Sequence, residues 1–381
     1  MTSPAPISER AQAMDIPPDL QQLIDVYQYE ETGEFPVERG YIWTSASSVE
    51  NANPLFWDDE VAAAITDGLI AMPTMLSLWF RPHHWSPTRD EPGLALQVHF
   101  DLKARLDLPE AIMSDNTITF YDPVRIGDRL RTRQVLRSVS GPKTTKLGTG
   151  RFWVIEVEYR NQHDALVGIE SYTGFGYKRE PVPAHRAAAS ATSPEPASPE
   201  PTSPDPRPPD PTPPGAGAAS SSAAAVVLLA SDVHVGDSLA VLAYPVTATT
   251  VVLGALAARD WRPMHHDHDF AVNRNGTKDI FLNTPNQAAW FERFLTDWTG
   301  PHGRLGRMTF RMKGSVFPGD TMVLAGTVTE VETDDTGCTW VTVLVRLTVD
   351  DDLKTDCTAR VALPSATNDN PWRRRGNQWN P

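Results

Sequence analysis

The chain has 381 residues, too long for one ordinary domain and ample for two, and 40% of them are hydrophobic, enough to build real cores. A net charge of −14 argues against a nucleic-acid partner, because phosphate recognition needs stripes of Lys and Arg. No run of 18 apolar residues occurs, so no membrane span is expected, and Met1–Asp15 lacks the charged start and apolar core of a secretory signal.

The N-terminal half, roughly 16–182, opens with Asn51-Ala52-Asn53-Pro54-Leu55-Phe56 and continues into an apolar helix predicted over Pro73–Phe80. A segment rich in His, Pro and charge follows, from Arg81 to about Gln97. Alternating, β-branched runs at Leu130–Ser138, Gly150–Tyr159 and Ala165–Tyr177 then read as antiparallel strands. From Arg186 to Ala225 there is no aromatic residue and no Ile, Leu, Met or Val. Such a stretch has too little apolar surface to offset the entropy of ordering. Residues 183–225 are therefore expected to be an extended Pro/Ala/Ser-rich linker.

The C-terminal half, roughly 226–365, begins with an Ala-rich helix over Thr247–Ala258. A stronger helix is predicted over Pro285–Trp298, with Thr284 or Asn283 as N-cap, Pro285 in its first turn and Gly300 beyond its end. Strands follow at Thr321–Val331, Thr339–Val349 and Thr355–Leu363. Cys338 and Cys357 fall in strand-like stretches and read as two buried thiols of a cytoplasmic protein, although a disulfide is compatible with the spacing. The tail, 366–381, is polar and expected to fray despite Trp372 and Trp379.

The two halves read as a diverged repeat. Val124-Arg125-Ile126-Gly127-Asp128 parallels Val316-Phe317-Pro318-Gly319-Asp320, and Asn51 to Phe56 parallels Asp260-Trp261-Arg262-Pro263-Met264-His265. The N-terminal half carries about 17 more residues between these elements, which the segment after Arg81 supplies. One helix followed by long antiparallel strands, twice over, is an α+β pattern.

The chemically informative stretch is Arg259 to Ala271. Asp260 and His265 flank a Pro-containing turn at the end of a helix. A carboxylate and an imidazole so placed can converge on one water, as an addition or elimination of water requires. His265, His266, Asp267 and His268 are too close in sequence to converge readily on one ion, and no metal site is expected. Asp267 reads as a turn or cap residue, His266 and His268 as solvated, and Asp128 and Asp320 as structural turn residues. His83 and His84 read as surface loop residues, with a substrate mouth as the alternative.

This stretch resembles the MaoC-like hydratase/dehydratase motif, Asp-x-Asn-Pro-x-His followed by x-Asp-x-x-Phe-Ala. Asp260, Pro263, His265, Asp267, Phe270 and Ala271 fall on motif positions, and Arg262 stands where the family usually has Asn. The N-terminal half resembles the related degenerate half of fused hydratases through Asn53-Pro54 and Ala71-Met72-Pro73-Thr74. There Asn51 replaces the Asp and Phe56 the His, and neither exchanges a proton near neutral pH.

The resemblance implies a tandem hot-dog fold, with two antiparallel sheets each wrapped around a central helix and joined edge to edge. It implies hydration of an α,β-unsaturated acyl-CoA, or the reverse dehydration, in fatty-acid or steroid side-chain catabolism. Asp260 and His265 would be catalytic. Asn283, Thr284, Arg262 and Phe56 would meet substrate, with backbone N–H groups around Asn283 to Asn286 facing the thioester oxygen. No cofactor is implied, and further pairing into a homodimer is compatible with the fold. The rival readings are a hot-dog thioesterase and a non-catalytic acyl-CoA-binding subunit. Fold alone does not choose among them, but the Asp260/His265 spacing favours the hydratase.

Overall fold

The computed structural model describes residues 16–87, 96–179 and 227–381. The expected linker, residues 1–15 and the middle of the segment after Arg81 lie outside the described residues. The strands are β1 (Tyr27–Thr32), β2 (Glu110–Phe120), β3 (Arg131–Val139), β4 (Lys143–Thr145), β5 (Gly148–Arg160), β6 (Leu166–Lys178), β7 (Leu242–Pro245), β8 (Arg304–Met312), β9 (Thr321–Thr333), β10 (Thr339–Val349) and β11 (Asp352–Leu363). The helices used below are α1 (Arg39–Ser48), α2 (Asp59–Thr66), α3 (Gln97–Arg105), α4 (Ala248–Ala257) and α5 (Thr284–Thr299).

The strands form one antiparallel sheet in the order β1-β3-β5-β6-β2-β8-β11-β10-β9-β7, with β4 beside β5. Read outward from the centre, the order is the same on both sides. β2 matches β8, β6 matches β11, β5 matches β10, β3 matches β9 and β1 matches β7. The halves are therefore related by a pseudo-twofold axis through the β2–β8 pair. That pair runs from Asn116 opposite Phe310 to Thr119 opposite Arg307, and the hydroxyls of Thr117 and Thr309 meet at 3.0 Å.

The repeat holds bond by bond. Gly127 and Gly319 both have left-handed backbones, with φ 88° and 89°, a conformation that suits glycine. Asp128 accepts from the Arg125 N–H and Asp320 from the Phe317 N–H, each at 2.8 Å. The Gly127 N–H donates to the Val37 carbonyl and the Gly319 N–H to the Val246 carbonyl, again at 2.8 Å. Both aspartates thus close turns, as their position after glycine suggests.

The halves differ at their central helices. α5 is buried nearly all round, as a helix enclosed by a sheet has to be. Trp290, Phe291 and Leu295 on it are completely covered. Its N-terminal counterpart is a shorter 3₁₀ segment over Pro73–Phe80. Pro82 explains the stop, because the residue before a proline is driven out of helical geometry, and Arg81 is extended with ψ 120°. The two central segments touch through Thr74, whose N–H and hydroxyl both donate to one oxygen of Glu292 on α5, at 2.9 and 2.6 Å. Burial pushes the Glu292 carboxyl up to about 7, and the Thr74 bonds offset only part of that.

The tail does not fray. Trp372 and Trp379 are buried, and the Trp379 indole N–H donates to the Phe120 carbonyl at 2.8 Å. The cause is Arg304, a guanidinium almost completely buried on β8. It donates to the carbonyls of Pro371 and Arg374 at 2.9 Å and to that of Tyr121, and lies 3.6 Å from the Trp379 ring centre. A buried cation needs such partners, and burial still draws its pKa down to about 9. Cys338 and Cys357 are buried free thiols.

Trp379→Ala should lower unfolding free energy by about 3 kcal/mol, the usual cost of emptying a large aromatic site. Urea unfolding followed by circular dichroism checks this; a change below about 0.5 kcal/mol, the range of surface substitutions, would show that the tail is not part of the packed core.

Candidate active site

The site begins where α4 ends. Thr247 caps that helix by accepting from the Thr250 N–H at 3.1 Å. At the other end Arg259 takes a left-handed backbone, φ 47°, which costs a non-glycine residue about 1 kcal/mol. This turns the chain so that the Asp260 N–H donates back to the Ala255 carbonyl at 2.9 Å. Pro263 then starts a single 3₁₀ turn, Pro263–His265. The result buries both Asp260 and His265, with the His265 Nε2 3.7 Å from the Asp260 Oδ2.

The N-terminal half repeats this backbone without its chemistry. Glu50 is left-handed at φ 51°, the Asn51 N–H donates to the Ala46 carbonyl at 2.8 Å, and Pro54–Phe56 forms the same turn. Asn51 and Phe56 are buried where the carboxylate and imidazole would stand. Asn53 caps its turn by accepting from the Leu55 N–H.

Arg262, at the position of Asn53, makes no such cap. Its guanidinium instead grips Asp260 with two parallel bonds, Nε to Oδ1 and Nη2 to Oδ2, both 2.9 Å. This answers the turn's departure from the motif, because the substituted residue moves from backbone capping to charge pairing. The Arg262 side chain is 61% exposed, so it pairs with Asp260 from the solvent side.

Two further groups hold Asp260. Asn283 donates from Nδ2 to Oδ2 at 3.1 Å, and Arg81 of the N-terminal half lies 3.5 Å from the same oxygen. Burial pushes the Asp260 carboxyl up, but Arg262, Arg81 and His265 outweigh it and hold the group well below the usual carboxylate range. Burial lowers the His265 pKa, and the Phe281 carbonyl and Asp260 restore only part of the loss. The His265 Nδ1 lies 2.8 Å from the Phe281 carbonyl, which only accepts, so Nδ1 carries the proton. The neutral ring therefore presents a lone pair on Nε2 on the Asp260 side.

Asn283 also starts α5, accepting from the Asn286 N–H at 3.1 Å. Asn283 rather than Thr284 is the cap, and Thr284 is the exposed first residue of the helix. One side chain thus fixes both the helix start and the carboxylate. In that first turn Pro285 has no N–H and that of Asn286 is used, which leaves the Thr284 N–H. The carboxylate of Asp267 accepts from the Phe270 N–H at 3.0 Å, a capping role. His266 and His268 are exposed. His83 and His84 are exposed too, and the His84 ring lies 5.7 Å from that of Trp261. Among the described residues no cluster of three or more His, Cys, Asp or Glu is arranged to hold a metal.

Arg81 is the residue that sequence reasoning missed, since it was read only as the start of an inserted segment. That segment docks onto the Asp260–His265 turn, where the Trp261 indole donates to the Pro82 carbonyl at 2.7 Å. The contact joins residues 179 positions apart, and no local pattern marks it.

The continuous sheet with two enclosed helical segments defines a double hot-dog protein. Residues 26–169 match the family model described as the FAS1-like dehydratase domain region. A solved MaoC-like dehydratase, 16% identical, superposes over 91% of this chain and all of its own, with a TM-score of 0.60. The 3-oxo-4,17-pregnadiene-20-carboxyl-CoA hydratase beta subunit of Mycobacterium tuberculosis is 39% identical over 83 residues, 22% of this chain and 64% of that protein. The probable enoyl-CoA hydratase alpha subunit of Thermomonospora curvata is 23% identical over 167 residues, 43% of this chain and 52% of that protein. The chain thus spans less than two thirds of both curated relatives. It shares the double hot-dog fold of the MaoC-like dehydratase, and its N-terminal half matches the dehydratase-region model.

The His265 shift makes a stability prediction. A folded-state pKa below the ordinary 6.5 means that the unfolded chain binds the proton more readily. The stability from His265 is therefore complete above pH 6.5 and is lost as pH falls through the folded value. His265→Gln should lose less stability than the parent chain between pH 7 and 5, measured by urea unfolding; equal losses would contradict the buried neutral imidazole.

Proposed function

We propose that the chain hydrates an α,β-unsaturated acyl-CoA to the 3-hydroxyacyl-CoA, or runs the reverse dehydration, with Asp260 and His265 as the catalytic pair. The observation that carries this reading is the pair itself, an ionised carboxylate and a neutral imidazole 3.7 Å apart in a buried turn. The matches to subunits named as CoA-thioester hydratases support the same chemistry.

The bonding divides the two roles. Asp260 already accepts three hydrogen bonds and is held at low pKa, which makes it a poor proton acceptor and a good fixed charge. The His265 Nε2 lone pair is the better base. Asp260 orients the water, and His265 takes its proton as the oxygen bonds to the β-carbon. The C=C pair moves into the thioester to give an enolate. The imidazolium that forms is stabilised by Asp260 and returns that proton to the α-carbon, which restores the neutral ring, so that one water is added overall. The Thr284 N–H, at the start of α5, faces the enolate oxygen, where a helix N-terminus favours negative charge. Arg262 holds Asp260 as a fixed charge. Phe56 contributes apolar wall from the silent half. The steroid side-chain CoA named for the mycobacterial relative belongs to the range of acyl groups to be tried. The described residues include no helix long and apolar enough to cross a membrane, and pairing with a second subunit is part of the same proposal.

The test is loss of the conjugated enoyl-thioester absorbance across a panel from crotonyl-CoA to long-chain and steroid-side-chain enoyl-CoAs. Asp260→Asn and His265→Ala should each cut kcat/KM by roughly a hundredfold to ten-thousandfold, the range of general acid–base catalysis. Turnover indifferent to both substitutions would overturn the assignment. Arg262→Asn should raise the His265 pKa, because the guanidinium charge opposes protonation of the ring, and move the acid limb of the pH profile upward; an unmoved limb would deny Arg262 this influence on the base.

A further inference from the structure

The residue before Asp260 is an arginine in a left-handed backbone conformation, φ 47°, which glycine would adopt without strain. A non-glycine residue persists there only where its surroundings hold it. What holds Arg259 comes from the other half. Its side chain is buried, and its guanidinium lies against two aromatic rings, 3.9 Å from the centre of Tyr41 on α1 and 4.3 Å from that of Phe35 in the segment leading into α1. Tyr41 is packed edge to face on Trp79 at 5.1 Å, and Phe35 on His83 at 5.6 Å. The Glu38 carboxylate stands 4.0 Å away and is itself exposed, and Arg259 Nη1 is buried without a hydrogen-bond partner among the described residues. The rings are therefore the principal anchor, since aromatic faces attract a desolvated cation.

The silent half carries the same device with different chemistry. Glu50, the left-handed residue before Asn51, accepts from the Tyr244 hydroxyl at 2.8 Å and lies 3.5 Å from Arg293 of α5. Tyr244 and Phe35 are counterparts, because each stands two residues before the valine whose carbonyl receives the Gly319 or the Gly127 N–H. Each turn is thus tied, through its left-handed residue, to the same aromatic position of the other half. Only the Arg259 tie borders a carboxylate and an imidazole that face each other. The direction of the Asp260 side chain follows the backbone of Arg259, so loosening the tie changes the 3.7 Å separation from His265.

We propose that Arg259 is a positioning residue: clamped against Tyr41 and Phe35, it fixes the Asp260 carboxylate opposite the His265 imidazole. The inference rests on the hydratase reading for its effect on rate, and it gives the silent half a part in aligning the pair.

Arg259→Gly removes the clamp and relieves the backbone together, so the variant should fold, which urea unfolding checks. The site is then read without turnover, by NMR titration of His265 in the full chain with labelled histidine, the signal being assigned by its loss in His265→Gln. Removing a cation alone raises a histidine pKa or leaves it unchanged, whereas moving a carboxylate away lowers it. Arg259→Gly should therefore lower the His265 pKa, and Arg259→Lys, which restores a cation, should recover most of the parent value. An unchanged or raised value in Arg259→Gly overturns the positioning role. On an enoyl-CoA that the parent hydrates, Arg259→Gly should lose about tenfold to a hundredfold in kcat, the scale of a small misplacement, with KM nearly unchanged. Phe35→Leu should lower kcat in the same way and add little to Arg259→Gly, because both break one contact. Glu50→Ala cuts the counterpart tie and should leave kcat and the His265 pKa at their parent values; an equal loss there would mean a general loosening of the halves and would overturn the clamp. If the parent hydrates no enoyl-CoA, yet the His265 pKa falls in Arg259→Gly and returns in Arg259→Lys, the hydratase reading fails and the clamp stands.

Discussion

A carboxylate removed from water has to be paired, and in this protein the pairing of Asp260 ties the architecture to the chemistry. Arg262 comes from the same turn, Asn283 from the cap of the central helix and Arg81 from the other half. Separating the halves would remove Arg81 and expose the turn. Asp260 and His265 lie in one half, but the electrostatic environment that keeps Asp260 ionised is a property of both. The N-terminal half thereby supports the Asp260 turn without needing any chemistry of its own.

The pseudo-twofold shows how this arose in structural terms. The Gly-Asp turns, the left-handed residues Glu50 and Arg259 and the paired 3₁₀ turns are superposable features of one scaffold. The scaffold has been kept while the groups on it changed. Asn51 and Phe56 end proton chemistry in one half, and Pro82 shortens the central segment there. That early stop releases the chain just where Arg81 reaches Asp260 and where Pro82 receives the Trp261 indole. The end of the central segment in one half and the support of the site in the other thus meet at Arg81 and Pro82.

Much of this was legible in the sequence because it is local. Period-two alternation located the six strands after the Gly-Asp turns, and the spacing of Asp260, Pro263 and His265 located the site. The two strands that join the halves were not legible. β2 contains Ser114, Asp115 and Asn116, and β8 has Arg304, Arg307 and Arg311, so neither reads as an apolar-alternating strand until its partner is known. The docking of the tail was missed for a similar reason, because it depends on Arg304, about 70 residues away, being buried and needing carbonyl partners. At Arg262 the departure from the motif was visible, but its consequence, a two-pronged grip on Asp260, required the geometry. Arg81 is brought to Asp260 entirely by long-range packing.

The central claim is that Asp260 and His265 direct a water to the β-carbon rather than to the thioester carbonyl carbon. Reaction of crotonyl-CoA in water enriched in oxygen-18, followed by mass spectrometry of all products, separates these outcomes directly. The account predicts a 3-hydroxybutyryl-CoA that carries the label on its β-carbon, with the thioester intact. Label appearing in a free carboxylic acid, with release of the CoA thiol, would contradict it and make the protein a thioesterase.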